Sequence, residues 1–153
     1  MTIKRRTLVK ALATGGGLLG LCALVPQWAM AAWMREAFAA GETNAAIKAL
    51  YGGDLPVESA EVMLDAPDIA ENGAVVPLTI STTLPNVETV SVFIAENPSP
   101  LAAQFIIPEG TLAEVSTRVR MGQTTHVTAV IQSDGKLYSA TKEVKVTIGG
   151  CGG

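Results

Sequence analysis

The sequence predicts an all-β protein, an immunoglobulin-like antiparallel β-sandwich of about seven strands, with a short N-terminal helix and a flexible glycine-rich C-terminal arm. Two observations predict the sandwich. From about Val57 onward the chain runs in short alternating apolar and polar segments, and turn residues separate them at regular spacing. No helical periodicity interleaves these segments, which argues against a parallel sheet with crossover helices. A partly open barrel is the alternative closure. The third observation is the terminal run Gly149-Gly150-Cys151-Gly152-Gly153, which is neither strand nor helix in pattern.

The chain opens with a leader. Lys4, Arg5, Arg6 and Lys10 form a basic start, Ala11 to Val25 is apolar, and Pro26 ends it. The stretch is short for a membrane span, and the small residues Ala29 and Ala31 around Met30 mark a cleavage site that would release a chain beginning at Ala32. An uncleaved anchor or a core helix is the alternative. The pair Arg5-Arg6, followed by Thr7-Leu8-Val9-Lys10, resembles the twin-arginine signal, which exports proteins already folded and implies a periplasmic location. The expected division is therefore 1–31 signal, 32–148 domain and 149–153 arm.

In the next segment Ala46, Ile47, Leu50 and Tyr51 recur at helical spacing, with Thr43 expected as N-cap and Gly52-Gly53 as the stop. Strands are expected near Ser59–Leu64, Ala74–Thr82, Glu88–Ala95, Ala102–Ile107, Leu112–Met121, Thr124–Gln132 and Lys136–Ile148. Val76, Leu78 and Ile80 share one face of the second, and Val90, Val92 and Ile94 one face of the third. Breaks fall at Glu71-Asn72-Gly73, Leu84-Pro85-Asn86, Asn97-Pro98-Ser99-Pro100, Pro108-Glu109-Gly110, Met121-Gly122 and Ser133-Asp134-Gly135, the last a hairpin signal. A core of alternating Val, Ile, Leu and Phe needs neither disulfide nor metal to fold. Open sandwich edges are a liability that a stable partner chain can cover.

Charge narrows the function. Without the four bases of the leader, 7 Lys and Arg stand against 14 Asp and Glu, a net charge of −7. So acidic a domain excludes nucleic acid and anionic membrane as partners, since both demand a positive patch.

Cys22 leaves with the leader, so Cys151 is the one cysteine of the exported chain. In an oxidising compartment a lone thiol serves between chains, on a ligand, or in chemistry. His126 is the single histidine and sits on the strand face opposite Val127, Ala129 and Ile131; alone it makes no zinc site. Asp65, Asp68 and Glu71 lack the spacing of a calcium loop and read as a solvated surface. No phosphate loop, nucleophile elbow or dinucleotide fingerprint is present, so no catalytic residue, metal or cofactor is expected.

The arm holds the chemistry. Gly149, Gly150, Gly152 and Gly153 have no side chains, and five extended residues reach roughly 17 Å, far enough to carry a sulfur into a narrow active site. Cys151 has no neighbouring base, and the nearby C-terminal carboxylate disfavours its thiolate. Such a thiol is a handle worked on by other proteins. An interchain disulfide is the competing use, and an autonomous thiol oxidoreductase is disfavoured by the lack of a second cysteine.

The arm resembles the terminus of the SoxY family, the sulfur carriers of bacterial thiosulfate oxidation. Further matches are Ile69-Ala70-Glu71-Asn72-Gly73-Ala74-Val75-Val76-Pro77, Glu96-Asn97-Pro98-Ser99-Pro100-Leu101 and Ser116-Thr117-Arg118-Val119-Arg120-Met121. The resemblance implies an immunoglobulin-like sandwich paired with a SoxZ-type subunit. It also implies that Cys151 carries the sulfur as an S-thiosulfonate, persulfide or S-sulfonate. The expected partner enzymes are the c-type cytochrome complex SoxAX, the hydrolase SoxB and, where present, the molybdenum and haem dehydrogenase SoxCD. The chain itself would be no enzyme.

Overall fold

The computed structural model describes residues 35–147. The leader with Arg5, Arg6 and Cys22, and the arm from Gly149 to Gly153 with Cys151, lie outside the described residues. Helix α1 spans Thr43–Tyr51. Nine strands follow: β1 Val57–Glu58, β2 Val62–Asp65, β3 Ile69–Ala70, β4 Val76–Thr82, β5 Val87–Ile94, β6 Leu101–Ile106, β7 Glu114–Val119, β8 Thr125–Ser133 and β9 Lys136–Val146.

The strands form two sheets, one ordered β1-β9-β8-β5-β6 with β3 also on β9, the other β2-β4-β7. The major ladders are antiparallel, and the chain crosses repeatedly between the two sheets, as in an immunoglobulin-type sandwich. The seven expected strands are β2 and β4 to β9. The hairpin between β8 and β9 turns through Asp134 and Gly135, both at positive φ (49° and 71°), as a two-residue turn of right-handed twist requires.

Strand alternation dictates the core. Val76, Leu78 and Ile80 of β4, Val90, Val92 and Ile94 of β5, and Val127, Ala129 and Ile131 of β8 meet between the sheets, all buried. Burying each of the Val, Leu and Ile side chains contributes about 1.5–3 kcal/mol. The opposite face of the larger sheet is also covered. Phe93, Leu101, Val130 and Leu137 pack under α1 through Ala46, Ile47 and Leu50, and Ala37 joins them from a helical stretch at 35–39. The protein thus has a helix layer on one face of its sandwich.

Three local expectations are corrected. The N-cap of α1 is Glu42, extended at φ −132°, and Thr43 is the first helical residue with its hydroxyl buried and unpartnered. The chain before α1 is helical at 35–39, where the sequence shows no clear period. The strands β1 and β3 were not expected, and both pair parallel with β9. Helix α1 stops as expected: Gly52 takes the left-handed conformation, and its N–H donates to the Lys48 carbonyl at 2.9 Å.

Candidate functional site at the root of the C-terminal arm

The β9 strand delivers the chain to its terminus, so the bonds on its last residues set where the arm departs. The Lys145 N–H donates to the Asp68 carbonyl at 3.0 Å, and the Thr147 N–H to the Ala70 carbonyl at 3.1 Å. On the other side the Val146 N–H donates to Thr124 Oγ1 at 3.1 Å. The last described residues of β9 are therefore held on both sides.

The segment that holds it is itself clamped by one side chain. Lys142 Nζ donates to the Ala66 carbonyl and pairs with Asp68 Oδ1 at 2.8 Å. The hydrogen bond and the positive charge of Lys142 hold the Asp68 carboxyl below its usual pKa, with Lys145 adding a smaller pull.

Two more loops close around the root. The Met121 N–H donates to the Gly73 carbonyl at 2.7 Å. Asn97 bridges its neighbours: Nδ2 donates to the Arg120 carbonyl at 2.8 Å, and Oδ1 accepts the Gly122 N–H at 3.4 Å. Gln123 Nε2 reaches Glu96 Oε2 at 3.0 Å, and Thr125 Oγ1 accepts the Glu96 N–H at 3.0 Å. A Cβ on Gly73 would stand 2.4 Å from the Met121 carbonyl oxygen and 2.8 Å from Val146 Cγ1, so only glycine permits this approach of loop to strand.

The three internal motifs of the sequence, at 69–77, 96–101 and 116–121, thus converge on one end of the sandwich. Far apart in the chain, they meet at Ala70, Gly73, Asn97 and Met121, where β9 ends. Spacing alone could not have shown this, because it depends on which strands pair.

Other candidates fall away from this end or carry no chemistry. His126 is exposed on the face opposite Val127. Asp65 and Glu71 are exposed, and Asp68 is committed to Lys142. Among the described residues no group of three or more His, Cys, Asp and Glu could hold a metal. A depression of about 320 Å³ lined by Tyr51, Asp54, Gln132, Lys136 and Tyr138 lies at the hairpin end of β9, a strand length from the arm root. No described helix is long and apolar enough to cross a membrane.

The model for "sulfur oxidation protein SoxY" matches residues 47–151, about two thirds of the chain, and its last matched residue is Cys151. This chain belongs to the SoxY family. The solved sulfur carrier protein SoxY from Chlorobium limicola f thiosulfatophilum is 42% identical to it, with a TM-score of 0.65, covering 74% of this chain and 99% of that one. One chain of a structure on T cell specificity and activation by the bacterial superantigen toxic shock syndrome toxin-1 shares 10% identity at a TM-score of 0.40, over 56% of this chain and 99% of that chain, too low to carry an argument. None of the curated proteins compared with the chain matches it. The SoxY fold and the sandwich described above agree.

Proposed function

We propose that this protein is a periplasmic sulfur carrier of thiosulfate oxidation, exported through the Arg5-Arg6 signal and loaded on Cys151. The SoxY match carries the reading, because it runs to the cysteine of an arm rooted at a built end of the sandwich. Gly149, Gly150, Gly152 and Gly153 serve as the thin swinging arm that carries the sulfur to successive enzymes. Residues 1–31 are the export signal and 32–148 the folded domain.

Loading joins the Cys151 thiolate to the sulfane sulfur of thiosulfate. One S–S bond forms, the thiol proton is released, and two electrons pass to a c-type cytochrome complex of the SoxAX kind. Hydrolysis by a SoxB-type enzyme then cleaves the bond between the sulfane sulfur and the sulfonate. Water supplies the oxygen of the released sulfate, and a persulfide remains on Cys151. A SoxCD-type dehydrogenase, where present, takes electrons from that sulfane sulfur while water adds oxygen, giving an S-sulfonate. A second hydrolysis restores the thiol. The carrier supplies no general base and no cofactor; the enzymes activate the sulfur, and a SoxZ-type subunit is the constitutive partner.

The test is Cys151→Ser, presented with thiosulfate and the cytochrome complex. The fold and partner binding are expected unchanged and sulfur loading abolished, whereas loading of the serine variant would place the attachment elsewhere.

A further inference from the structure

The sandwich has one edge that its sequence leaves unprotected. Strand β6 ends the larger sheet, paired on one side with β5 and on the other with no described strand. Leu101 to Ile107 contains no charged residue and no proline. The other edges are blunted: β7 carries Glu114 and Arg118, β2 has four residues and ends on Asp65, and β1 and β3 have two residues each. A bulge at Ala102 disturbs only the start of β6, and Ala103 to Ile106 pair regularly with β5. Charges and prolines are how natural sheets keep free edges from pairing, and their absence marks an edge that is covered in use.

The backbone specifies what covers it. The Ile107 N–H donates inward to the Glu88 carbonyl at 2.9 Å, so by alternation the N–H groups of Gln104 and Ile106 point outward. A row of outward donors and acceptors takes an extended strand. Ile106, 80% exposed, lies at its end and supplies apolar contact. A second copy of this chain suits the row poorly. Residues 35–147 hold 7 bases and 14 acids, so two copies, each at −7, repel.

We infer that the β6 edge is the docking site for an uncharged edge strand of a second sandwich subunit whose net charge is neutral or positive, extending the larger sheet across the complex. This rests on the partner-bound carrier reading and locates the partner's seat on it.

The test titrates a purified SoxZ-type subunit from the same organism against the wild-type chain and three variants. Ile106→Lys places a charge on the edge at an exposed position, and Gln104→Pro removes an outward N–H without touching the β5 ladder. Met63→Lys, on the outer face of the smaller sheet, is the control. Both edge variants are expected to weaken binding roughly tenfold or more while the control binds normally. Hydrogen exchange at Gln104 and Ile106 is expected to slow in the wild-type complex. Unchanged affinity in both edge variants, with wild-type binding intact, would overturn the docking site alone. Absence of wild-type binding would instead overturn the partner reading beneath it. Wild-type chains that dimerise alone, and lose this on Ile106→Lys, would make the occupant a second copy and overturn the partner inferred here.

Discussion

The hydroxyl of Tyr51, at the last residue of α1, lies 2.7 Å from the hydroxyl of Ser91, which is fully buried in β5. The same Tyr51 hydroxyl reaches Thr89 Oγ1 at 3.2 Å. The helix is thus pinned to the sheet by polar contacts at its C-terminal end and by Ile47 and Leu50 along its length.

Tyr51→Phe removes the partner of a buried hydroxyl and is expected to destabilise the fold by about 1–3 kcal/mol. Adding Ser91→Ala is expected to restore part of that loss, because the unsatisfied group goes with its partner. Urea denaturation of both variants checks the pair.

Phe93 fills the space between α1 and the sheet and is fully buried. Phe93→Ala is expected to cost about 3–5 kcal/mol, against about 0.5–1.5 for Ile94→Val on the opposite face. Thermal denaturation orders the two, and a smaller loss for Phe93→Ala would mean that the helix layer adds little.

Gly73→Ala drives a Cβ against the Met121 carbonyl oxygen, a backbone atom that no rotamer change can move. The expected cost is about 1–3 kcal/mol, with the disturbance passed to Val146 and hence to the arm root. Amide exchange at Met121 and Val146, together with the rate of sulfur loading, reads this out.

The Asp68–Lys142 clamp is expected to respond to acid. The folded-state pKa of Asp68 lies below its ordinary 3.8, so its contribution is present at neutral pH and is lost as pH falls below that value. Exchange at the Thr147 amide, which Ala70 protects, is expected to rise in that range and to be raised already at neutral pH in Lys142→Met. Equal exchange in wild type and variant would show that the backbone bonds alone hold the segment.

Much of the fold was legible because two-residue alternation survives in long strands. Val90, Val92 and Ile94 announced the inner face of β5, and Ser133-Asp134-Gly135 the final hairpin. The strands β1 and β3 were not legible, since two residues carry no period and their pairing depends on β9, over sixty residues away. The helix layer was half legible: Ala46, Ile47 and Leu50 showed an apolar stripe, but not that Phe93 and Val130 would receive it. Thr43 was the better capping residue by type, yet the chain turns helical one residue earlier, so Glu42 takes the cap position. Cys151 stood out in the sequence by elimination among cysteines, whereas the roles of Asn97, Gly73 and Lys142 at the end of β9 depend on contacts between distant loops.

The central claim is that Cys151 carries the substrate sulfur, and the mass of the C-terminal peptide tests it most directly. Protein purified from thiosulfate-grown cells is expected to show adducts on that peptide of about 112 Da for a thiosulfonate, or about 32 Da per added sulfur, all removed by reduction. A peptide found only as free thiol or as a disulfide-linked dimer would contradict the account.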